Sequence, residues 1–60
     1  MEMKVIFTES TDNRVSYVYN KGRLYFVVGI DRKTNKFSVF LYTRRDLAKV
    51  KALEFVYKEK

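Results

Sequence analysis

Apolar and polar positions alternate with a period of two through Arg23–Tyr42, on both sides of the polar stretch Arg32-Lys33-Thr34-Asn35. Leu24, Phe26, Val28 and Ile30 alternate with Arg23, Tyr25, Val27, Gly29 and Asp31; Phe37, Val39 and Leu41 alternate with Lys36, Ser38, Phe40 and Tyr42. Such alternation around a four-residue turn predicts a β-hairpin. With Asp31 opposite Lys36, Ile30 meets Phe37, Val28 meets Val39 and Phe26 meets Leu41. One face of the hairpin is then aliphatic with Phe. The other carries Tyr25, Phe40 and Tyr42 among Arg23, Gly29, Lys36 and Ser38.

Two shorter strands precede it. Met3–Thr8 is β-branched and aromatic, with Met3, Val5 and Phe7 expected on one face and Lys4, Ile6 and Thr8 on the other. The residues Glu9-Ser10-Thr11-Asp12-Asn13 favour turns and end it. Arg14–Tyr19 reads as the second strand, turned into the third by Asn20-Lys21-Gly22. A two-residue Lys21-Gly22 turn puts Val15, Tyr17 and Tyr19 on the face of Phe26 and Val28. A three-residue loop with Gly22 as a left-handed bulge puts them beside Tyr25 and Val27 instead. Pattern favours the first turn and backbone chemistry the second, because Lys at positive φ is uncommon.

Thr43-Arg44-Arg45-Asp46 has the form of a capping box, with Thr43 as N-cap and Tyr42 and Leu47 at the staple positions. A helix is expected from near Arg44 to about Tyr57. Val50, Leu53 and Tyr57 form one apolar band on it and Ala48, Ala52 and Phe55 a second, separated by Lys51, Glu54 and Lys58. Two bands suggest the sheet on one side and another chain on the other. Leu53, Phe55 and Tyr57 also alternate, so a fifth strand over Leu53–Tyr57 is the rival. The expected fold is α+β: a four-stranded antiparallel sheet with one C-terminal helix across its Leu24/Phe26/Val28/Ile30 face.

Length and charge sharpen this picture. Sixty residues form one domain with one small core, marginal alone and usually supplemented by disulfides, a metal or a partner. The absence of Cys and His excludes disulfides and the usual zinc ligand sets, so no metal or cofactor is expected and a homodimer becomes the expected supplement. Contact around Leu53, Val56 or Phe55 of the helix would form it. Nothing resembles a signal peptide and no apolar run is long enough to span a bilayer, which predicts a cytoplasmic protein. The formal charge is +6: Lys4 against Glu2, Glu9 and Asp12 gives −2 over residues 1–13, and twelve basic against four acidic residues give +8 over the rest. A polyanion is the natural partner for that excess.

Enzyme chemistry has little to rest on, and none is expected. The commonest general base and the best nucleophile are missing. Ser10, Ser16 and Ser38 lack an activating context, the acids lack ligand spacing, and Gly22 and Gly29 are too scattered to cradle a phosphate. Binding is better supported. Antiparallel strands place Lys21 and Arg23 at the same end of the sheet as Arg44 and Arg45, with Arg14, Arg32, Lys33 and Lys36 at the other. A seven-residue strand spans ~23 Å, so two basic ends would bracket a sheet surface a few nucleotides wide. Bases stacked on Tyr25, Phe40 and Tyr42, with phosphates held by the flanking cations, is how single strands are bound with little sequence preference. Cross-strand aromatic pairs also stabilise a sheet without any ligand, and Tyr and Arg are enriched in protein interfaces.

The order of elements resembles the small single-stranded nucleic-acid binders of the PUR-repeat and PC4 type. The resemblance rests on Arg23-Leu24-Tyr25-Phe26-Val27-Val28 as third strand, Lys36–Tyr42 as fourth, and Asp46-Leu47 with Ala52-Leu53-Glu54-Phe55 in the helix. It implies four curved strands followed by a helix, pairing through helices, and binding of single-stranded DNA or RNA. In length, charge and terminal helix the chain is also similar to the small basic chromatin proteins of thermophilic archaea, which implies duplex binding. The competing expectation is a small protein-binding regulator of the virus- or plasmid-encoded inhibitor type, its charge meeting an acidic partner.

Overall fold

The computed structural model describes residues 3–58. Strands β1 (Lys4–Ser10), β2 (Arg14–Lys21), β3 (Leu24–Asp31) and β4 (Lys36–Tyr42) form an antiparallel meander in the order β1-β2-β3-β4, followed by helix α1 (Arg45–Tyr57). The expected ββββα architecture is the observed one. Leu53–Tyr57 is helix and adds no strand to the sheet.

The β3–β4 register is the one the alternation predicts, with Asp31 opposite Lys36, Ile30 opposite Phe37, Val28 opposite Val39 and Phe26 opposite Leu41. Its turn is built by local chemistry. Asp31 Oδ1 accepts hydrogen bonds from the backbone N–H of Lys33 (3.0 Å) and Thr34 (3.4 Å), and Asn35 takes the left-handed conformation at φ 62°. Between β2 and β3 the turn lies one residue later than expected. Lys21 pairs with Leu24, so Gly22 and Arg23 are its centre, and only Gly22 has positive φ, 61°. Glycine first and an ordinary second residue is the II′ pattern, which matches strand twist. Asn20 Nδ2 ties the turn by donating to the carbonyls of Gly22 (3.1 Å) and Leu24 (3.2 Å).

This turn keeps Val15, Tyr17 and Tyr19 on the face of Phe26 and Val28, opposite Ile30, Val28 and Phe26 respectively. In β1 the register shifts between Val5 and Phe7. The bulge separates these two residues, expected on one face. Val5 stays opposite Tyr19, whereas Ile6 and Phe7 both pack on the core under the helix.

The helix lies on the opposite face from the one expected. Its buried residues Ala48, Ala52 and Val56 meet the side of the sheet that carries Ser16, Val18, Val27 and Gly29. The physical reason is size. Small side chains on both elements let the backbones approach closely, and Ser16 Oγ, fully buried, donates a 2.8 Å hydrogen bond to the Ala52 carbonyl. Gly29 leaves room for the Phe55 ring. The larger and more apolar Leu24/Phe26/Val28/Ile30 face would hold a helix further away, and it is left uncovered.

The helix starts one residue later than the capping box implies. Arg44, extended at φ −122° and ψ 134°, is the N-cap and makes no side-chain capping bond. Asp46 turns to its neighbours, accepting from the Leu47 N–H (3.0 Å) and pairing with Arg44 (3.0 Å). Glu54 pairs with Lys51 at 3.3 Å. At the far end, Arg14 Nη1 donates to the carbonyls of Phe55 (3.1 Å) and Lys58 (2.7 Å). It thereby satisfies carbonyls that a helix C-terminus leaves free.

Candidate functional site

The meander returns every second strand end to the same edge, so cations distant in sequence converge there. Lys4 lies beside Asn20, Lys21 and Arg23 flank the β2–β3 turn, and β4 ends opposite Tyr25 before Arg44 and Arg45 open the helix. Lys49, one helical turn after Arg45, joins them. Its ammonium sits 5.2 Å from the Phe7 ring centre, and Arg45 and Lys49 line a shallow cleft with Ile6, Phe7 and Val18. Lys4, Lys21, Arg23, Arg44, Arg45 and Lys49 thus share one end of the molecule. Among the described residues Asp46 is the carboxylate near them.

Four of these six, Lys21, Arg23, Arg44 and Arg45, are the expected site residues at this end. Lys4 and Lys49 are additional. The i,i+4 spacing of Arg45 and Lys49 on a helix was the signal for the second. Lys4 depends on the β1–β2 register, which only pairing fixes.

At the opposite end the expected group of Arg14, Arg32, Lys33 and Lys36 does come together, but its guanidinium groups are occupied. Arg14 bonds the helix C-terminus and lies 3.7 Å from Asp31, and Arg32 Nη1 donates to the Thr11 carbonyl (3.2 Å). These two arginines hold the Thr11–Arg14 loop and the last helical turn to the sheet. Lys33 and Lys36 are exposed beside Asp31.

The three aromatic residues expected to stack bases are on the helix-covered face. Tyr25, Phe40 and Tyr42 are half-buried and pack against the Val18/Val27/Ala48/Ala52 core, and Lys51 Nζ sits 4.5 Å from the Phe40 ring centre. Their rings serve the core. Of the helix residues expected at a dimer contact, Leu53 keeps part of its surface exposed, whereas the other two face the sheet. Val56 is 4% exposed against the protein's own sheet, and Phe55 covers Gly29.

The open face presents a different set. Tyr17, Tyr19, Phe26 and Phe37 sit among Val5, Leu24, Val28, Ile30, Val39 and Leu41, and the rings of Tyr17 and Tyr19 are 6.3 Å apart. Its most exposed members are on β4, with Phe37 at 74%, Leu41 at 57% and Val39 at 55%.

Among the described residues no group of acidic side chains is placed to hold a metal ion, and no helix is long and apolar enough to cross a membrane. The Tyr57 hydroxyl donates to Glu9 Oε2, and that bond, some desolvation and the Glu9 charge raise its pKa above 10.0. The pair clips the end of the helix to β1. Compared with protein-family models, curated proteins and solved structures, the chain matches none.

Proposed function

We propose that the protein binds nucleic acid with little sequence preference, holding phosphates at the end of the sheet where Lys4, Lys21, Arg23, Arg44, Arg45 and Lys49 converge. The observation that carries this reading is the convergence itself: six cations from three separate stretches of chain, with Asp46 as the nearby carboxylate among the described residues. Like charges so placed repel one another. Arg44 and Arg45 also oppose the helix dipole, at a cost of roughly 0.3–1 kcal/mol each. A phosphate at this position reverses both terms and meets a helix start that has no N-cap side-chain bond, where Asp46 takes only the Leu47 N–H.

The mode follows from what is exposed beside the cations. Tyr25, Phe40 and Tyr42 are engaged with the core, so phosphate contacts rather than base stacking supply the affinity. Single strands and duplexes are then bound comparably, and the salt dependence reports the number of contacts.

The test is fluorescence anisotropy with labelled single-stranded and duplex oligonucleotides of random sequence, between about 50 and 200 mM salt. Binding should weaken linearly in log salt. Arg45→Gln with Lys49→Gln should lower affinity for every sequence and flatten the slope by about 0.7–0.9 per cation lost. Lys33→Gln with Lys36→Gln, at the other end, should leave the slope nearly unchanged. Absence of binding at the lower salt, or equal effects of the two pairs, would refute the assignment.

A further inference from the structure

We infer that the open face of the sheet is a self-association surface, and that two copies pack these faces together with their helices outward. The register gives the composition of that face. From β1 come Val5, Thr8 and Ser10; β2 adds Tyr17, Tyr19 and Lys21, with Val15 already buried among its neighbours; β3 adds Leu24, Phe26, Val28 and Ile30; β4 adds Phe37, Val39 and Leu41. Its centre is wholly uncharged. Lys21, Thr8 and Ser10 lie at its ends and margin, as the polar rim of an interface does.

Charge decides what covers it. An acidic protein partner or a nucleic acid would need cations among the rings, and only the corner residue Lys21 is charged there. Two copies of a chain carrying +6 would repel if their cations met. The basic ends and the helix flank hold those cations, so stacking open face on open face adds little repulsion and desolvates no opposed charges. A like copy is therefore the occupant this face suits and a charged partner is not.

Area points the same way. Four strands about 4.8 Å apart and seven residues long at about 3.3 Å each give a flat footprint of roughly 450 Å² per copy. Two copies then bury about 900 Å² before side-chain relief is added, which brings the contact to the ~1,000 Å² that a specific interface requires. Two twisted sheets packed this way lie about 10 Å apart, with Phe26, Tyr19 and Leu41 of each copy between them. The pairing also supplies what a one-sided core lacks: the residues buried under the helix are small, Val18, Val27, Ala48, Ala52 and Val56.

Sedimentation equilibrium on the full chain at tens of micromolar tests this, with Val39→Glu and Leu41→Glu as separate variants and Val50→Glu on the outer helix face as control. The expected wild-type mass is twice 7.2 kDa. Each sheet-face glutamate should weaken association by at least ~100-fold while the far-ultraviolet circular dichroism of the protomer is retained. Val50→Glu should remain dimeric. A wild-type monomer throughout, or a dimer broken by Val50→Glu and not by Val39→Glu, overturns the inference. Should a glutamate variant fail to fold, concentration-dependent amide shifts of the wild type decide: changes centred on Phe37, Val39 and Leu41 support it, and changes confined to the helix refute it. A monomer that binds single strands and loses them on Tyr17→Ala would assign the face to nucleic acid and equally refute it.

Discussion

Gly29 lies directly beneath the ring of Phe55. A Cβ built on Gly29 would stand 2.8 Å from both Cδ2 and Cε2 of that ring and 2.9 Å from Cγ, so the whole ring rather than its tip would have to move. The Arg14 guanidinium also lies over the ring, 5.6 Å from its centre. Gly29→Ala should therefore destabilise the protein by about 1–2 kcal/mol, the overpacking cost less the entropy gained by removing a glycine. In a Phe55→Leu background the same substitution should cost markedly less. Urea midpoints of the four proteins, read as a double-mutant cycle, measure that coupling.

Ser16 provides the second point of close contact. Its hydroxyl is buried against the helix and donates to the Ala52 carbonyl, which is also within the helical hydrogen-bond ladder. Ser16→Ala loses one bond and strands no donor, so a loss of about 0.5–1.5 kcal/mol is expected. Ser16→Val is larger where the helix lies closest and should cost more, despite its better strand propensity. Equal stability of the alanine and valine variants in chemical denaturation would show that the seat is looser than its burial implies.

These two contacts also explain what was legible in the sequence. Alternation and the Asp31/Lys36 turn predicted the β3–β4 register residue by residue, and the periodicity after Tyr42 predicted the helix. The side on which the helix lies was not legible from hydrophobicity. The Leu24/Phe26/Val28/Ile30 face is the more apolar, but helix docking is governed by how closely the backbones approach, and Ser16, Gly29 and Ala52 allow that on the other side. The candidate site divided accordingly. Lys21, Arg23, Arg44 and Arg45 depend only on which strand ends coincide, which topology fixes. Tyr25, Phe40 and Tyr42 depend on the face, and so went under the helix. A hydrophobic sum ranks faces by transfer energy and is blind to shape.

Arg14 connects β2, β3 and the helix C-terminus through two hydrogen bonds and an ion pair, besides lying over the Phe55 ring. Arg14→Ala should destabilise by roughly 1–3 kcal/mol, most of it from carbonyls of the last helical turn left to water or unpaired. Lysine can donate to one carbonyl but lacks the planar fork, so Arg14→Lys should restore part of the loss and no more. Amide hydrogen exchange locates the effect. Protection should fall first from Phe55 to Tyr57 and last in β2 and β3.

The Tyr57–Glu9 contact makes a small part of stability depend on alkaline pH. The fold favours the protonated phenol, which is what a pKa raised above 10.0 means. Its contribution is then fully present below the unfolded value and is lost as pH rises through the folded one. Tyr57→Phe should be slightly less stable than the wild type at neutral pH, and the two should converge above pH 10.0. Thermal midpoints across that range read the convergence, and a constant difference would mean that the hydroxyl contributes through packing alone.

Salt should act in opposite directions on the two proposed interfaces. Phosphate contacts release counterions, so nucleic-acid affinity falls steeply with ionic strength. The open face is apolar and uncharged at its centre, with Lys21 at a corner, while most of the +6 that each copy carries lies elsewhere. Added salt shortens the ~10 Å Debye length that holds at 0.1 M and so screens the residual repulsion between copies. Sulfate further favours burial of apolar surface. Dimerisation should consequently strengthen as nucleic-acid binding weakens, with sulfate more effective than chloride at equal ionic strength. Sedimentation and anisotropy titrations on the same samples would register the divergence. Parallel weakening of both would mean that charged residues form the contact between copies, and the basic end rather than the sheet face would then have to supply it.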